Sequence, residues 1–202
     1  MTRLIIASNN VNKVKEIKAT LMAASIDLVV VSLSDLPEVP DIIEDGATFF
    51  KNAKKKAETI AAVYPHDFVL ADDSGLTIPA LNGEPGVYSA RYAGDHDDAA
   101  NNRKVLEKME GFDAPTDREA FFTTVMVVAF KGYEELVAEG RVDGFITENW
   151  DGKESFGYDP IFYYAPAQKT FAEMTMEEKN AVSHRARALK ELILKLPAWL
   201  NQ

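Results

Sequence analysis

Apolar positions along this chain recur with two different periods, and the points where the period changes mark out its elements. RLIIAS is a short apolar run that reads as a buried strand, and the following VNKVKEIKATLMAA sets Val11, Val14, Ile17 and Leu21 at helical spacing. A second strand is expected at DLVVVSL, and a second helix from about Thr48 to Val63, where Phe49, Ala53, Ile60 and Tyr64 share a face. FVLA, Phe68 to Ala71, predicts a third strand. LTIPALNGEPGVYSARYAG carries the Gly and Pro punctuation of a long surface loop, and a helix over about Ala99 to Met109 follows. AFFTTVMVVAF is a β-branched and aromatic run, with GYEELVAEGRVDGFI as its antiparallel partner. The chain closes on a helix in which Thr175 and Glu178 have the spacing of a capping box and Val182, Ala186, Leu189, Ile193 and Leu196 form one stripe.

Strands alternating with helices, plus a long hairpin, predict the α/β class: a mixed sheet with helices on its faces. The chain of 202 residues, 47% of them hydrophobic, suits a single domain over residues 1–202 with ample core. Repeats and low-complexity tracts are absent. With no Cys there are no disulfides and no thiolate metal sites, which agrees with a reducing cytoplasm. The opening MTRLIIASNN lacks signal-peptide architecture, and no stretch approaches the ~18 to 20 apolar residues of a membrane span, so a soluble intracellular protein is expected. A net charge of −10 argues against nucleic acid as a partner, because that binding relies on Lys and Arg neutralising phosphates. A small anionic ligand remains open, since it needs only a local group of cations.

Four segments could carry chemistry. In ADDSGL, Asp72 and Asp73 follow an apolar strand; they either cap a turn or hold a cation, because an isolated buried carboxylate is costly. SNNVNK, Ser8 to Lys13, is a polar strand-to-helix turn whose amides and helix dipole favour phosphate, with Lys13 adding a full charge; simple Asn capping beside an exposed Lys is the alternative. The Gly-rich P-loop pattern is absent. ESFGYDPIF sets Phe156 and Tyr158 around Gly157 with Asp159 beside them, suited either to stacking on a planar ring or to sheet packing. EEKNAVSHRARAL puts Lys179, His184 and Arg185 at the start of an apolar-striped helix, where a charged solvent face is the plainer reading; a relay between the adjacent Ser183 and His184 is disfavoured by helical geometry. The Lys54-Lys55-Lys56 run reads as a solvated face.

Taken in order, SNNVNK, EDGATFFKNAKKKA, ADDSGL, GEPGVYSARYAG, FGYDPIF and KTFAEMTMEEKNAVSHRARAL resemble the inosine triphosphate pyrophosphatase family, the Ham1-like house-cleaning nucleotide hydrolases, across nearly the whole chain. The resemblance implies an elongated mixed β-sheet with flanking helices and two lobes around a central substrate cleft. It also implies a homodimer, a Mg²⁺ requirement, and conversion of ITP, dITP and XTP to monophosphate and pyrophosphate. Ser8, Asn9, Asn10, Val11, Asn12 and Lys13 match the phosphate-binding turn, and Asp73 matches the metal-linked catalytic carboxylate. Glu44 matches the second metal carboxylate and Ser74 a substrate contact. Phe156, Gly157, Tyr158 and Asp159 match the base pocket, and Lys179, His184 and Arg185 the substrate-binding cations. Ser155 stands where Gly is usual before this pocket, Lys51 where an acidic residue is common, and Ala186 where Gly is frequent.

On this reading Lys13 and the turn amides spread over the triphosphate, while Asp73 orients or deprotonates a water that attacks the α-phosphorus. Selectivity would follow from donors, Arg185 and His184, facing the 6-oxygen that hypoxanthine and xanthine carry and adenine lacks. A metal-dependent phosphatase releasing the terminal phosphate and a non-catalytic nucleotide sensor are the competing readings.

Overall fold

In the computed structural model, which describes residues 3–24, 26, 28–94, 97–150 and 156–201, the period changes fall close to the element boundaries. The elements are β1 (Arg3–Ile6), α1 (Val11–Ala23), β2 (Val29–Ser32), α2 (Phe49–Val63), β3 (Phe68–Thr77), α3 (Asp98–Lys108), β4 (Glu119–Ala129), β5 (Leu136–Ile146), β6 (Phe162–Tyr164), β7 (Lys169–Thr170), α4 (Met176–Val182) and α5 (His184–Leu200). The strands form one open, mixed seven-stranded sheet in the order β2-β1-β3-β4-β5-β6-β7. β1 pairs parallel with β2 and β3, whereas β6 pairs antiparallel with β5 and β7. No helix among the described residues is long and apolar enough to cross a membrane. Ser155 lies outside the described residues.

The chain divides into two compact units. The first comprises Met1–Asp73, Thr124–Gly140 and Arg185–Gln202. Its strands are apolar on both faces, because helices cover both. Leu4, Ile6, Leu70, Met126 and Val128 join a core with Ile17 and Leu21 of α1 and Leu189, Leu192 and Leu196 of α5. The alternate residues Ile5, Ala7, Val69, Ala71, Val125 and Val127 join a second core with Ala53, Ala57 and Ile60 of α2. The side-chain period of two in a strand thus assigns each residue to one helical layer or the other.

The second unit comprises Ser74–Thr123 and Arg141–His184. Its core gathers Leu76, Val105, Met109, Phe122, Val142, Ile146, Phe162 and Phe171, with the Phe122 and Phe162 ring centroids 4.7 Å apart. β5 here alternates strictly, with Arg141 and Asp143 exposed between buried Gly140, Val142 and Gly144. At Gly144 a Cβ would lie 2.5 Å from the Tyr163 carbonyl oxygen and 2.6 Å from the Phe162 ring, so only glycine fits. Gly144→Ala is expected to lower stability by about 1–3 kcal/mol, read as a reduced urea midpoint at unchanged m-value.

Three expectations change. β3 continues through ADDSGL to Thr77, so Asp72 and Asp73 lie within a strand and the turn reading fails. The closing helix is two helices: Ser183, at φ −64° and ψ 158°, is extended and ends α4, and α5 starts at His184. This break moves the buried stripe to Ala188, Leu189, Leu192, Leu196 and Trp199, leaving Ala186 and Ile193 only partly buried. The expected long loop is substantially ordered, with 3-10 turns at Pro79–Leu81 and Gly86–Arg91. Buried Ser89 links its parts by accepting from the Leu76 N–H at 2.9 Å and donating to the Gly86 carbonyl at 2.6 Å.

Candidate active site

Three elements of the first unit bring charge together: the N-terminus of α1, the middle of β3 and the buried face of α2. α1 starts where Asn10 turns its carboxamide onto the chain, Oδ1 accepting from the Asn12 and Lys13 amides at 3.0 and 3.1 Å. The Ser8 hydroxyl accepts from the Asn10 amide at 3.2 Å. Among the described residues, the amides of Asn9 and Val11 are therefore the donors this turn has left for an anion. Asn capping is real, but Lys13 is not the exposed lysine of the plainer reading: one turn into α1, its ammonium lies 2.9 Å from Asp72 Oδ2.

Adjacent strand residues point to opposite faces, and this separates the two aspartates. Asp72, 1% exposed, faces the α1 and α5 layer, meeting Lys13 and, at 3.7 Å, Nε of Arg185. Arg185 is 2% exposed and its NH1 reaches Glu16 Oε2 at 2.5 Å. The result is a buried chain of alternating charge, Glu16, Arg185, Asp72 and Lys13. Burial opposes ionisation of Asp72, but Lys13, Arg185 and Lys56 outweigh it and hold the carboxyl well below the usual carboxylate range. Burial pulls the Lys13 ammonium down, with Asp72 opposing and Arg185 and Lys56 reinforcing the shift.

Asp73 faces the α2 layer. Its Oδ2 accepts from Asn52 Nδ2 at 2.9 Å, and its Oδ1 lies 3.9 Å from Lys56 Nζ. The same ammonium is 3.0 Å from Glu44 Oε2. Lys56, 8% exposed, overturns the solvated-face reading for its position, although Lys54 and Lys55 do lie outside, paired with Glu135 and Asp45. Burial pushes the Asp73 carboxyl up, against Lys56, Lys13 and the Asn52 hydrogen bond. Asn52 and Lys56 were missed in the sequence. Their signal was present: two polar residues at i and i+4, on the α2 face that also carries Ala53, Ala57 and Ile60.

Glu44 and Asp73 both lie near one cation, the Lys56 ammonium, so two oxygen-donor carboxylates are gathered at one point. No group of three His, Cys, Asp or Glu residues that could enclose a metal occurs among the described residues. Two carboxylates are the kind of donor set Mg²⁺ takes, since it dehydrates reluctantly and keeps waters in the rest of its shell.

The second unit holds the remaining candidates. Ser74 follows Asp73 in β3. Tyr158 is core rather than an open stacking surface: 4% exposed, it donates its hydroxyl to the Ser89 carbonyl at 2.8 Å, and burial pushes its phenol up. Phe156 is the half-buried ring of this segment, with Lys179 Nζ 5.8 Å from its centroid. Asp159 and Lys179 are 3% and 6% exposed and form an ion pair of 2.5 Å. The His184 ring stacks on Phe122, with centroids 4.7 Å apart and planes 13° from parallel. Lys179, His184 and Arg185 are all buried, so the charged-solvent-face reading of that helix fails.

The chain as a whole is similar to known proteins. The sequence model of the Ham1 family matches residues 4–195. A dITP/XTP pyrophosphatase of Leuconostoc mesenteroides subsp. mesenteroides is 56% identical over 200 residues, covering 98% of each chain. The protein of the same description from Lactiplantibacillus plantarum is 46% identical, covering 97% of this chain and 95% of its own. Among solved structures, the Staphylococcus aureus Ham1 protein superposes with a TM-score of 0.87 at 40% identity, covering 98% of this chain and 99% of its own.

Proposed function

Because the chain belongs to the Ham1 family, we propose that it is a nucleoside triphosphate pyrophosphatase, hydrolysing dITP, XTP and ITP to the monophosphate and pyrophosphate. The observation that carries this reading is the pair Glu44 and Asp73 gathered around one ammonium, in the same unit as the partly buried Lys13. Mg²⁺ bound by these two carboxylates would neutralise triphosphate charge. Lys13 and the Asn9 and Val11 amides bind the phosphate chain. Asn52 fixes Asp73 through Oδ2, and the Asp73 carboxylate directs a water at the α-phosphorus. Proton transfer from that water to Asp73 accompanies formation of the new P–O bond, and the α–β bridging oxygen departs with pyrophosphate. A carboxyl raised by burial is the better base for the step.

The purine is held by Phe156 against its face, with Asp159 and Lys179 beside it, and His184 supplies a donor for a 6-oxygen, a role the resemblance also gives Arg185. Glu16 holds the Arg185 guanidinium through NH1. A site equipped with such donors discriminates against a 6-amino purine because like groups would then face each other unpaired. We propose further that the protein works as a homodimer in the cytoplasm, as the resemblance and the absence of Cys suggest.

The test is a panel of nucleoside triphosphates with Mg²⁺, the phosphorus products identified by NMR. Monophosphate and pyrophosphate from ITP and XTP, with slow turnover of ATP, support the reading. Orthophosphate and diphosphate mean terminal-phosphate hydrolysis, and tight binding without turnover means a sensor. Lys13→Ala is expected to raise KM for ITP and lower kcat together, since the ammonium meets the polyphosphate in both ground and transition states. Steady-state kinetics at fixed Mg²⁺ measure this, and unchanged values for both would return Lys13 to a structural role with Asp72.

A further inference from the structure

The segment assigned to the purine is irregular backbone, and Gly157 within it sits at φ 62°. Glycine enters that left-handed region freely, so the residue type does not by itself hold the loop in one shape. α3 supplies what the loop lacks. Asp98 Oδ2 accepts from the Gly157 N–H at 2.8 Å, and Asn102 Nδ2 donates to the Gly157 carbonyl at 2.7 Å. The two residues are four apart, on one face of the helix, and between them they hold both polar backbone groups of one residue.

We propose that Asp98 and Asn102 are positioning residues that set the shape of the Phe156–Asp159 segment and thereby the enzyme's purine selectivity; this rests on the reading of that segment as the base site. Neither residue is explained by the needs of α3. Asp97 is the cap, its Oδ1 accepting from the Ala100 N–H at 2.8 Å, so the Asp98 carboxylate is not needed as a cap, and the dipole of α3 asks of it only a negative charge in the first turn, not a bond to Gly157. Asn102 is fully buried, and its Oδ1 has no hydrogen-bond partner. An apolar side chain would avoid that cost, so what the position uses is the amide's donors, shared between the Asp98 and Gly157 carbonyls. The rest of the segment is anchored independently, Tyr158 by Ser89 and Asp159 by Lys179. The Gly157 clamp therefore governs the Phe156 end, where the half-buried ring is.

The experiment compares wild type with Asp98→Ala, Asp98→Asn and Asn102→Leu by two readouts. Without nucleotide, amide exchange followed by NMR is expected to be at least about tenfold faster at Gly157 in Asp98→Ala, with Val127 of β4 unchanged. With nucleotide, Asp98→Ala and Asn102→Leu are expected to raise KM for ITP about tenfold, with kcat little changed, and to lower the ITP-to-ATP ratio of kcat/KM by a similar factor. Asp98→Asn should recover most of both losses, since its carboxamide oxygen can accept the same N–H while the charge is gone. Faster exchange at Gly157 with unaltered KM and ratio would reduce the clamp to a structural role and overturn the proposal, as would unaltered exchange. Should Asp98→Ala fail to fold, Asn102→Leu carries the same comparison at near-constant volume. Absence of ITP and XTP turnover in wild type would overturn the functional reading and the selectivity claim together, while exchange at Gly157 still reports on the clamp alone.

Discussion

Asp73→Asn is expected to reduce kcat for ITP by at least ~10²-fold while the protein stays folded and, without metal, becomes no less stable. The carboxamide preserves the shape and its oxygen can still accept from Asn52, but it cannot take a proton from water or offer charge to a cation. Stability has the opposite sign to activity. Burial holds the Asp73 pKa above its ordinary value, so its contribution to folding is present below the unfolded-state pKa of about 3.9 and is lost as pH rises through the folded value. At neutral pH the charge is a cost, and removing it relieves that cost. Calorimetry in chelator should show the Tm of the variant gaining on wild type as pH rises from the ordinary carboxylate value of about 3.9 through the raised folded value. Asp72 behaves in reverse: its depressed pKa adds stability above the ordinary carboxylate value, and that stability is lost only as pH falls through the folded one. A folded Asp73→Asn protein with wild-type turnover would sink the catalytic assignment.

The largest expected loss of stability follows from Lys179→Met. Lys179 and Asp159 form a buried 2.5 Å ion pair, and removing the ammonium leaves the carboxylate in a low-dielectric setting without its main counter-charge. Breaking one side of such a pair costs about 3–5 kcal/mol. The double variant Lys179→Met/Asp159→Leu is expected to regain most of that stability, because apolar packing often replaces a buried pair at little net cost. It should not regain ITP hydrolysis if these residues serve the purine. Urea unfolding and steady-state kinetics on the three proteins separate the two roles; recovery of activity with stability would assign the pair to structure alone.

Much of the fold was legible because periodicity is a local property. The apolar runs RLII, FVLA and TTVMVV belong to strands covered on both faces, and α2 and α3 start within a residue or so of their expected positions. β6 and β7, at three and two residues, were too short for any period to register. The site was legible unevenly. Lys13, Glu44 and Asp73 were named as candidates from the order of six motifs, yet the run of three lysines read as a solvated face, and only the helical spacing of Lys56 with Asn52, Ala53, Ala57 and Ile60 marks which of the three turns inward.

The sequence by itself determined the order of the longer elements, the α/β class and the set of residue types proposed to serve phosphate, metal and purine. Those follow from spacing of 2 or 3.6 residues and from which side chains can carry charge. Only the tertiary structure decided how those groups are partnered. Asp72 and Asp73 are neighbours in the chain, but a strand turns them to opposite faces, so one joins Lys13 and Arg185 and the other Asn52 and Lys56. Arg185 meets Glu16 across 169 positions, and Asp98 meets Gly157 across 59. No local period encodes such pairings; they arise because burying both faces of the sheet forces particular helices against particular strands, and charges caught in that packing must find each other or pay for desolvation.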